Sequence, residues 1–292
     1  MLIETFDLTA VDIAHVDRAA LHALSVGVRW PHRSDDWDML IAFGEGFAAL
    51  DEIGRVVGSA MWFPYTEDFA TIGMVIIPPR FQAQGAGRWL MEEVLPRTGS
   101  RALGLNATRA AYRLYRSIDF VEEAIVYQCN GIAQMRDDVA AAPDGVLRAI
   151  TAADADAVVA LDAQAFGAAR DRLLAHLLEV SEGTALVRDG RIVACALCRR
   201  FGRGYVVGPV IAACDTDAIA VVRPHVAAHA GTFLRLDTRR RGGAFGAFLS
   251  ASGLPVFDTV LTMWLKRPWP AWPTAGVSER PMTYGLVSQA FG

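Results

Sequence analysis

The run Val75-Ile76-Ile77-Pro78-Pro79-Arg80-Phe81-Gln82-Ala83-Gln84-Gly85-Ala86-Gly87-Arg88-Trp89-Leu90-Met91 is the sharpest chemical feature of the sequence. A β-run stops at a proline pair, turns through two glycines and enters an amphipathic helix whose first residues are small. Unpaired N–H groups at a helix N-terminus point at one place and carry the positive end of the helix dipole, and glycine lets a phosphate come close to them. The chemistry such a segment suits is anion binding; the bland alternative is a plain strand-to-helix turn. About 20 residues on comes Leu105-Asn106-Ala107-Thr108-Arg109-Ala110-Ala111-Tyr112-Arg113-Leu114-Tyr115-Arg116-Ser117-Ile118-Asp119-Phe120-Val121. Two other constellations carry less. Cys195-Ala-Leu-Cys198 falls in a strand, where residues i and i+3 face opposite sides, which argues against a shared metal. His225 and His229 stand at i, i+4 on an expected helix, but Val226 replaces the Glu of a zinc protease, so a surface pair is expected.

Together the two long segments resemble the GNAT superfamily of acyl-CoA-dependent N-acyltransferases. The signatures are Gln/Arg-x-x-Gly-x-Gly/Ala after a fourth strand, matched by Gln82, Gly85 and Gly87, and a later Leu-Tyr-x-x-x-Gly-Phe, matched by Leu114, Tyr115 and Phe120. The resemblance covers about residues 3 to 130. Asp119 stands where the family usually has Gly, and Thr108 where many members carry Asn, with Asn106 two residues early. The resemblance implies a V-shaped opening between the fourth and fifth strands that holds the thioester of acetyl-CoA. Backbone N–H groups near Ile76 and Ile77 would hold the acetyl carbonyl and the developing oxyanion. The pyrophosphate would sit on the N–H groups of Gln84, Gly85, Ala86, Gly87 and Arg88, with Gln82, Ala83 and Thr108 also in the donor site. A neutral amine would attack directly in a ternary complex, and Tyr115, a phenol with an ordinary pKa near 10, would protonate the departing thiolate. Family members often draw a carboxylate base from the fourth strand, but Thr71 to Ile77 contains no acid. Glu67 and Asp68 just before that strand, His32, or a chain of waters are the alternatives. One wall of the acceptor site would come from Arg29-Trp30-Pro31-His32-Arg33-Ser34-Asp35-Asp36-Trp37-Asp38, where Trp30, His32, Asp35 and Trp37 are the candidates. Two Trp and three Asp would suit a cationic amine by charge and ring face, although a capped helix with Trp37 buried under it accounts for the same pattern.

The elements that must position these residues recur. Gly46 to Ala60 and Gly183 to Ala196 each read as two apolar runs around an Asp/Gly turn, a hairpin signal. Thr9 to Asp12 matches Thr151 to Asp154, and Ile72-Gly73-Met-Val75-Ile76 matches Val207-Gly208-Pro-Val210-Ile211. Spacings of about 131 to 142 residues point to a duplicated domain of that length. The expected division is residues 1–140 and 145–292, with the boundary at Ala140-Ala-Ala-Pro143-Asp144-Gly145. Helical spacing runs from Ala10 to Leu24 with Thr9 as cap, and again over 35–43, after Gly85 and over 109–117; strands fall between. The fold class is therefore mixed α/β with a mixed sheet, as two tandem GNAT-like domains. In the second copy, Ala-Ala-Cys214-Asp215-Thr216-Asp217 replaces the glycine loop, and Leu249 stands in the place of Tyr115. Two aspartates there would repel a pyrophosphate, so this half is expected to be silent and to serve as a scaffold or as part of the acceptor pocket. Arg235 and Arg239 to Arg241 read as a solvated basic turn, with a site for a phosphate or a substrate carboxylate as the alternative. The tail, with Trp269 and Trp272, should pack against a domain and end as a strand near Tyr284.

Composition narrows the function classes. The 292 residues hold 53% hydrophobic and 21% charged side chains, which suits a globular chain and not a disordered one. A net charge of -4, from 28 basic and 32 acidic residues, is too weak to steer the chain to nucleic acid or an anionic membrane. Lys266 is the sole lysine, which removes a P-loop and a Schiff-base lysine elsewhere. The longest uncharged stretch, Gly242 to Phe257, is shorter than the ~18 residues of a membrane span. An acidic start and four cysteines without a disulfide pattern favour the cytoplasm. The expectation is an acetyl-CoA-dependent N-acetyltransferase of a small-molecule amine or an amino-acid-like acceptor, monomer or homodimer, needing no metal. The rival is an inactive CoA-binding or interaction module of the same fold; a third reading, transfer involving aminoacyl-tRNA, is opposed by the low basic charge.

Overall fold

The computed structural model describes residues 2–3, 6–82, 85–135, 144–269 and 280–292. In chain order the elements are β1 (Leu2–Ile3), β2 (Phe6–Asp7), β3 (Thr9–Asp12), α1 (Arg18–Gly27), α2 (Ser34–Phe43), β4 (Glu45–Leu50), β5 (Val56–Pro64), β6 (Phe69–Ile76), α3 (Ala86–Arg97), β7 (Ala102–Ala107), α4 (Tyr112–Arg116) and β8 (Val121–Ile132). The second half supplies β9 (Val146–Ala149), α5 (Ala155–Phe166), α6 (Asp171–Val180), β10 (Glu182–Arg188), β11 (Arg191–Phe201), β12 (Gly204–Ala212), α7 (Asp215–Ala228), β13 (Phe233–Thr238), α8 (Gly243–Ala251), β14 (Val256–Leu265) and β15 (Met282–Gly285).

The two halves share one mixed sheet of order β3-β4-β5-β6-β7-β14-β8-β13-β12-β11-β10-β9, with β15 added beside β12. Among the described strands only β6–β7 and β12–β13 are parallel pairs; the other pairs of the sheet are antiparallel. Each half lends its last long strand to the other. From the second half, β14 lies on β7 (Leu261↔Ala107 to Leu265↔Leu103), and from the first, β8 lies on β13 (Phe233↔Ile132 to Thr238↔Tyr127). The lent strands also pair with each other from Val256↔Cys129 to Trp264↔Val121. The repeat visible in the sequence is thus two copies of one strand and helix order closed through exchanged strands.

On one face of the sheet a single core joins both halves: Leu21, Trp37, Met61 and Phe63 cluster with Val158, Leu174, Leu197 and Phe291. On the other face each half has its own core, α3 and α4 over the first and α7 and α8 over the second. The helix expected from Ala10 starts later than its periodicity suggests. Thr9–Asp12 is strand, paired with Phe47–Leu50, and α1 begins at Arg18 with the Asp17 carboxylate accepting from the Ala19 N–H. Trp269 packs among Phe69 and Phe166, and the tail strand appears at Met282–Gly285; Trp272 lies outside the described residues.

Candidate active site

The first parallel pair splits. Strands β6 and β7 stay in register from Phe69↔Ala102 to Ile72↔Leu105 and no further. Opposite Ser59 and Met61 a bulge adds one residue to β6, and Met74 takes a left-handed φ of 52°. Ser59 Oγ fixes this kink by donating to the Met74 carbonyl at 2.7 Å. Past Ile72 the β7-facing edge of β6 has no strand partner, which leaves backbone groups free for a ligand. A cavity of about 470 Å³ opens against this edge, touching Ile72 to Val75, Asn106, Thr108 and Tyr115.

The strand leads into the helix that the glycine motif foretells. Gln82 Nε2 donates to the Ile77 carbonyl at 3.0 Å and ties the turn to the strand end. Gly85 precedes α3 at φ 84°, a left-handed conformation for which glycine is the natural residue. Among the described residues no side chain caps this helix, and no acid occupies its first turn, so its N-terminal N–H groups stay available to an anion. Ala86 is buried, Gly87 is half-buried, and Arg88 is exposed and paired with Glu92 at 2.9 Å. Ala83 and Gln84 lie outside the described residues.

Tyr115 is buried on the cavity wall beside Phe120, at 5.7 Å between ring centroids, and burial pushes its phenol well above the ordinary value of 10. The group is a firmly protonated acid rather than one near its titration point. Thr108 reaches the same cavity, while Ile76 sits in the core opposite Ser59, and the cavity meets β6 up to Val75, short of Ile76 and Ile77.

The acceptor wall is only partly as expected. Trp30 and His32 line the cavity. Asp35 does not, being a solvent-facing first-turn residue of α2, and Trp37 is wholly buried, its indole N–H on Ser25 Oγ. Asp36, between them, is the acid that reaches the cavity, and its oxygens are already taken by the Arg33 N–H and guanidinium, both at 2.7 Å, and by the Gly202 N–H at 2.9 Å. Asp38 pairs with Arg18. A cluster of free carboxylates for a cation is therefore absent among the described residues of this wall. Glu67 and Asp68 do not reach the cavity either; they lie on the exposed turn before β6, near Arg101 and Arg267.

His32 is the titratable base that the cavity does hold. Its ring meets Trp30, Trp37 and Phe201 edge-on at 6.0, 6.4 and 5.6 Å, and its Nδ1 has no partner among the described residues. Burial pulls its pKa down to about 4; Asp36 opposes the shift, and Arg235 and His22 add to it. The imidazole is neutral at physiological pH.

Sequence reasoning allows the second half a share of the acceptor pocket but singles out only Arg235 of the residues that line it: Phe201, Arg203, Arg235, Phe257 and the tail from Ser288 to Phe291. The tail is held across the split strands. Asn106 Nδ2 donates to the Gln289 carbonyl at 2.8 Å, Thr71 Oγ1 to Ala290 at 2.9 Å and Tyr65 Oη to Phe291 at 2.8 Å. Arg170, in a buried fork with Asp162, donates to the Phe291 and Gly292 carbonyls. Arg235 is not the solvated loop residue expected, nor is Arg239, which is half-buried with its Nη2 sealed from solvent and its pKa held down to about 10 by burial of the guanidinium. His225 is likewise buried, with Nε2 3.3 Å from the Ala196 carbonyl. Among the described residues no cluster of His, Cys, Asp and Glu is arranged to hold a metal.

The second parallel pair splits too, after Val206↔Arg235, but its opening is filled. Strand β15 pairs with the freed edge of β12 from Val210↔Gly285 to Ala212↔Met282. Tyr284 Oη and the Phe245 N–H both bond to Asp215 at the start of α7, and a Cβ on Gly208 would lie 1.9 Å from the Leu286 carbonyl.

Two parallel pairs that split beside a bulge, one leading to an uncapped glycine-started helix, are matched by known families. A family model described as an acetyltransferase (GNAT) domain matches residues 43–122, and another of the same description matches residues 158–272. The chain is a tandem GNAT acetyltransferase. A Bacillus subtilis protein named as an uncharacterized N-acetyltransferase, YitH, is 23% identical over 90% of this chain and 91% of its own. The holothin acyltransferase of a Pseudoalteromonas strain is 26% identical over 62% of this chain and 65% of its own. In fold, a presumed acetyltransferase of Pyrococcus horikoshii aligns with TM-score 0.78 at 16% identity, covering 100% of this chain and 98% of that one. A tandem GNAT protein from the clavulanic acid biosynthesis pathway aligns with TM-score 0.65 at 15% identity, covering 92% and 100%. At such identities the structural likeness speaks for the fold alone.

Proposed function

We propose that this GNAT protein transfers an acetyl group from acetyl-CoA to the amine of a small molecule, directly and in a ternary complex, at the split of β6 and β7. One observation carries the reading: of the two equivalent splits, the first borders an open cavity and runs into an uncapped helix N-terminus, while the second is filled by β15. The residues present fit the donor. The free edge of β6 and the strand end at Ile76 and Ile77 would hold its pantetheine arm, and the N–H groups from Gly85 to Arg88 its pyrophosphate. The kink at Met74 and Val75, two residues earlier than the sequence suggests, is the part of β6 that meets the cavity and so the place to hold the acetyl carbonyl and the charge that develops on it.

His32 would take the amine's proton. Its low basicity suffices, because a nitrogen that has begun to bond to an acyl carbon is a far stronger acid than a free ammonium. Tyr115, kept protonated by burial, would give its proton to the departing sulfur. Tyr65, Asn106 and Thr71 would act by holding the tail that closes the cavity.

Calorimetric titration with acetyl-CoA tests the assignment: one site per chain is expected, and two sites or none would refute it. Tyr115→Phe should lower kcat by about 10²-fold with little change in donor affinity. Unchanged turnover would show that the sulfur takes its proton from water.

A further inference from the structure

We propose that the acceptor carries a carboxylate as well as its amine, and that Arg203 and Arg235 of the second half receive it. The inference rests on the acyl-transfer reading for the amine end only; the anion subsite stands on the cavity's own charges.

The wall of the cavity that faces the kink of β6 comes from β11, β12 and β13 and their connections, which supply Phe201, Arg203 and Arg235. Around them lie Arg33 and the buried Arg199, whose Nη1 has no partner and whose guanidinium stands 5.6 Å from the Phe201 ring. With Arg29, also on the cavity wall, these make five guanidinium groups against four carboxylates, of which Asp35, 3.9 Å from Arg33, and Asp258 are exposed to solvent. Asp36 is saturated by three donors, and Asp237 is chelated by Arg235 through Nε at 3.0 Å and Nη2 at 2.6 Å. His32 adds no charge. Asp258 also lines the cavity, but it is exposed and its carboxylate accepts from the Thr259 N–H.

The local balance is therefore an excess of positive charge in a partly enclosed space, the reverse of the acidic wall that the Trp and Asp run suggests. Such a space disfavours a simple ammonium and favours a molecule that brings its own anion. The geometry is also suited. The Asp237 chelate and the stacking of Arg235 on Phe201 at 5.6 Å hold that guanidinium still, and leave its Nη1 without a partner among the described residues. Arg203 has no ion pair or hydrogen bond among the described residues, and its guanidinium rests 4.7 Å from the Phe233 ring centroid. A planar carboxylate is the group that a guanidinium fork recognises best, and both forks line the same cavity.

The test uses the full chain and matched pairs of N-acetylated amino acids and their carboxamides, bound in the presence of CoA and read by the fluorescence of Trp30 and its neighbours. The acid should bind about tenfold more tightly than its amide, the scale of one charge-assisted hydrogen bond. In Arg203→Gln, an exposed position at which folding is not at stake, most of that preference should vanish while amide affinity and acetyl-CoA affinity stay unchanged. An acid that binds no better than its amide, or fails to bind, overturns the proposal, as does a preference that survives in both Arg203→Gln and Arg235→Gln. Failure of acetyl-CoA to bind would instead strike the acyl-transfer reading and leave the acid and amide comparison readable.

Discussion

His32 contributes to the stability of this protein against mild acid. Its pKa falls from 6.5 in the unfolded chain to about 4 in the fold, because the ring lies among Trp30, Trp37 and Phe201 with Arg235 and His22 nearby and only Asp36 in opposition. The folded state therefore resists a proton that the unfolded state accepts between those two values. Stability is full above pH 6.5, declines as pH falls through the window from 6.5 to 4, and loses nothing more from this group below 4. Integrated from pH 7.5 to 4.5, the loss from His32 is about 2.5 kcal/mol. The perturbation is His32→Gln, which keeps a polar side chain and removes the titration. Urea unfolding of both proteins at pH 7.5, 5.5 and 4.5 measures it. The wild type should lose about 2.5 kcal/mol more than the variant between the end points. His225, whose pKa is also lowered by burial, and the paired carboxylates titrate in both proteins and cancel in the difference. Parallel curves would refute the neutral, buried imidazole, and with it the assignment of His32 as the base.

Other outcomes follow from the same contacts. Asp162→Asn strips one partner from a pair whose side chains are at most 1% exposed, and should cost about 3–5 kcal/mol in denaturant unfolding, with Asp162→Leu/Arg170→Met recovering much of it; a loss below about 1 kcal/mol would mean the Arg170 fork does not anchor the tail. Gly87→Glu should abolish acetyl-CoA binding in calorimetry while leaving the melting temperature nearly unchanged, since a Cβ there meets only the Leu114 side chain at 3.0 Å; retained affinity would remove the phosphate assignment from α3. Asp119→Gly should stabilise the protein by about 0.5–1 kcal/mol, because Asp119 is exposed and holds φ 67°; a destabilised variant would show that its side chain matters more than its backbone. Residues 1–140 expressed alone should fail to give a sharp thermal transition, since β7 and β8 then lose β14 and its buried Met263; a cooperative melt of the isolated half would contradict the exchanged-strand sheet.

What was legible in the sequence was local. The strand, proline pair, Gly85-x-Gly87 and helix are a continuous stretch whose backbone demands can be read in order, and the structure keeps that order from β6 to α3. The hairpin signals at Glu52 to Arg55 and Asp189-Gly190 hold for the same reason, as turn chemistry between adjacent strands. The early helix was misjudged because Thr9-Ala-Val-Asp12 has apolar residues that fit either period, and pairing with β4 decides for strand. The acceptor site was misread for a different reason. Asp35, Asp36, Trp37 and Asp38 are neighbours in sequence but leave α2 in four directions, so only Asp36 reaches the cavity. The residues that complete the wall, from Phe201 to Phe291, are separated from it by more than 150 positions, and beyond Arg235 no local pattern announces them.

The contrast between the two splits follows from how each satisfies its backbone. A parallel pair that ends early leaves a row of N–H and C=O groups that must find partners in a ligand, in water or in the chain itself. For β12 the chain supplies them: β15 completes the ladder, and the acids Asp215 and Asp217 at the head of α7 are spent on Tyr284, the Phe245 N–H and Arg188. Once that wedge is closed from within, the residues after β15 have one direction left, across the Arg199 side chain, which donates to the Val287 carbonyl, and onto Thr71 and Asn106 of the first half. Closing the second split and walling the first are thus one structural act. A substitution at Tyr284 or Asp215, far from any reacting atom, acts on the first-half cavity by releasing the tail that shapes it.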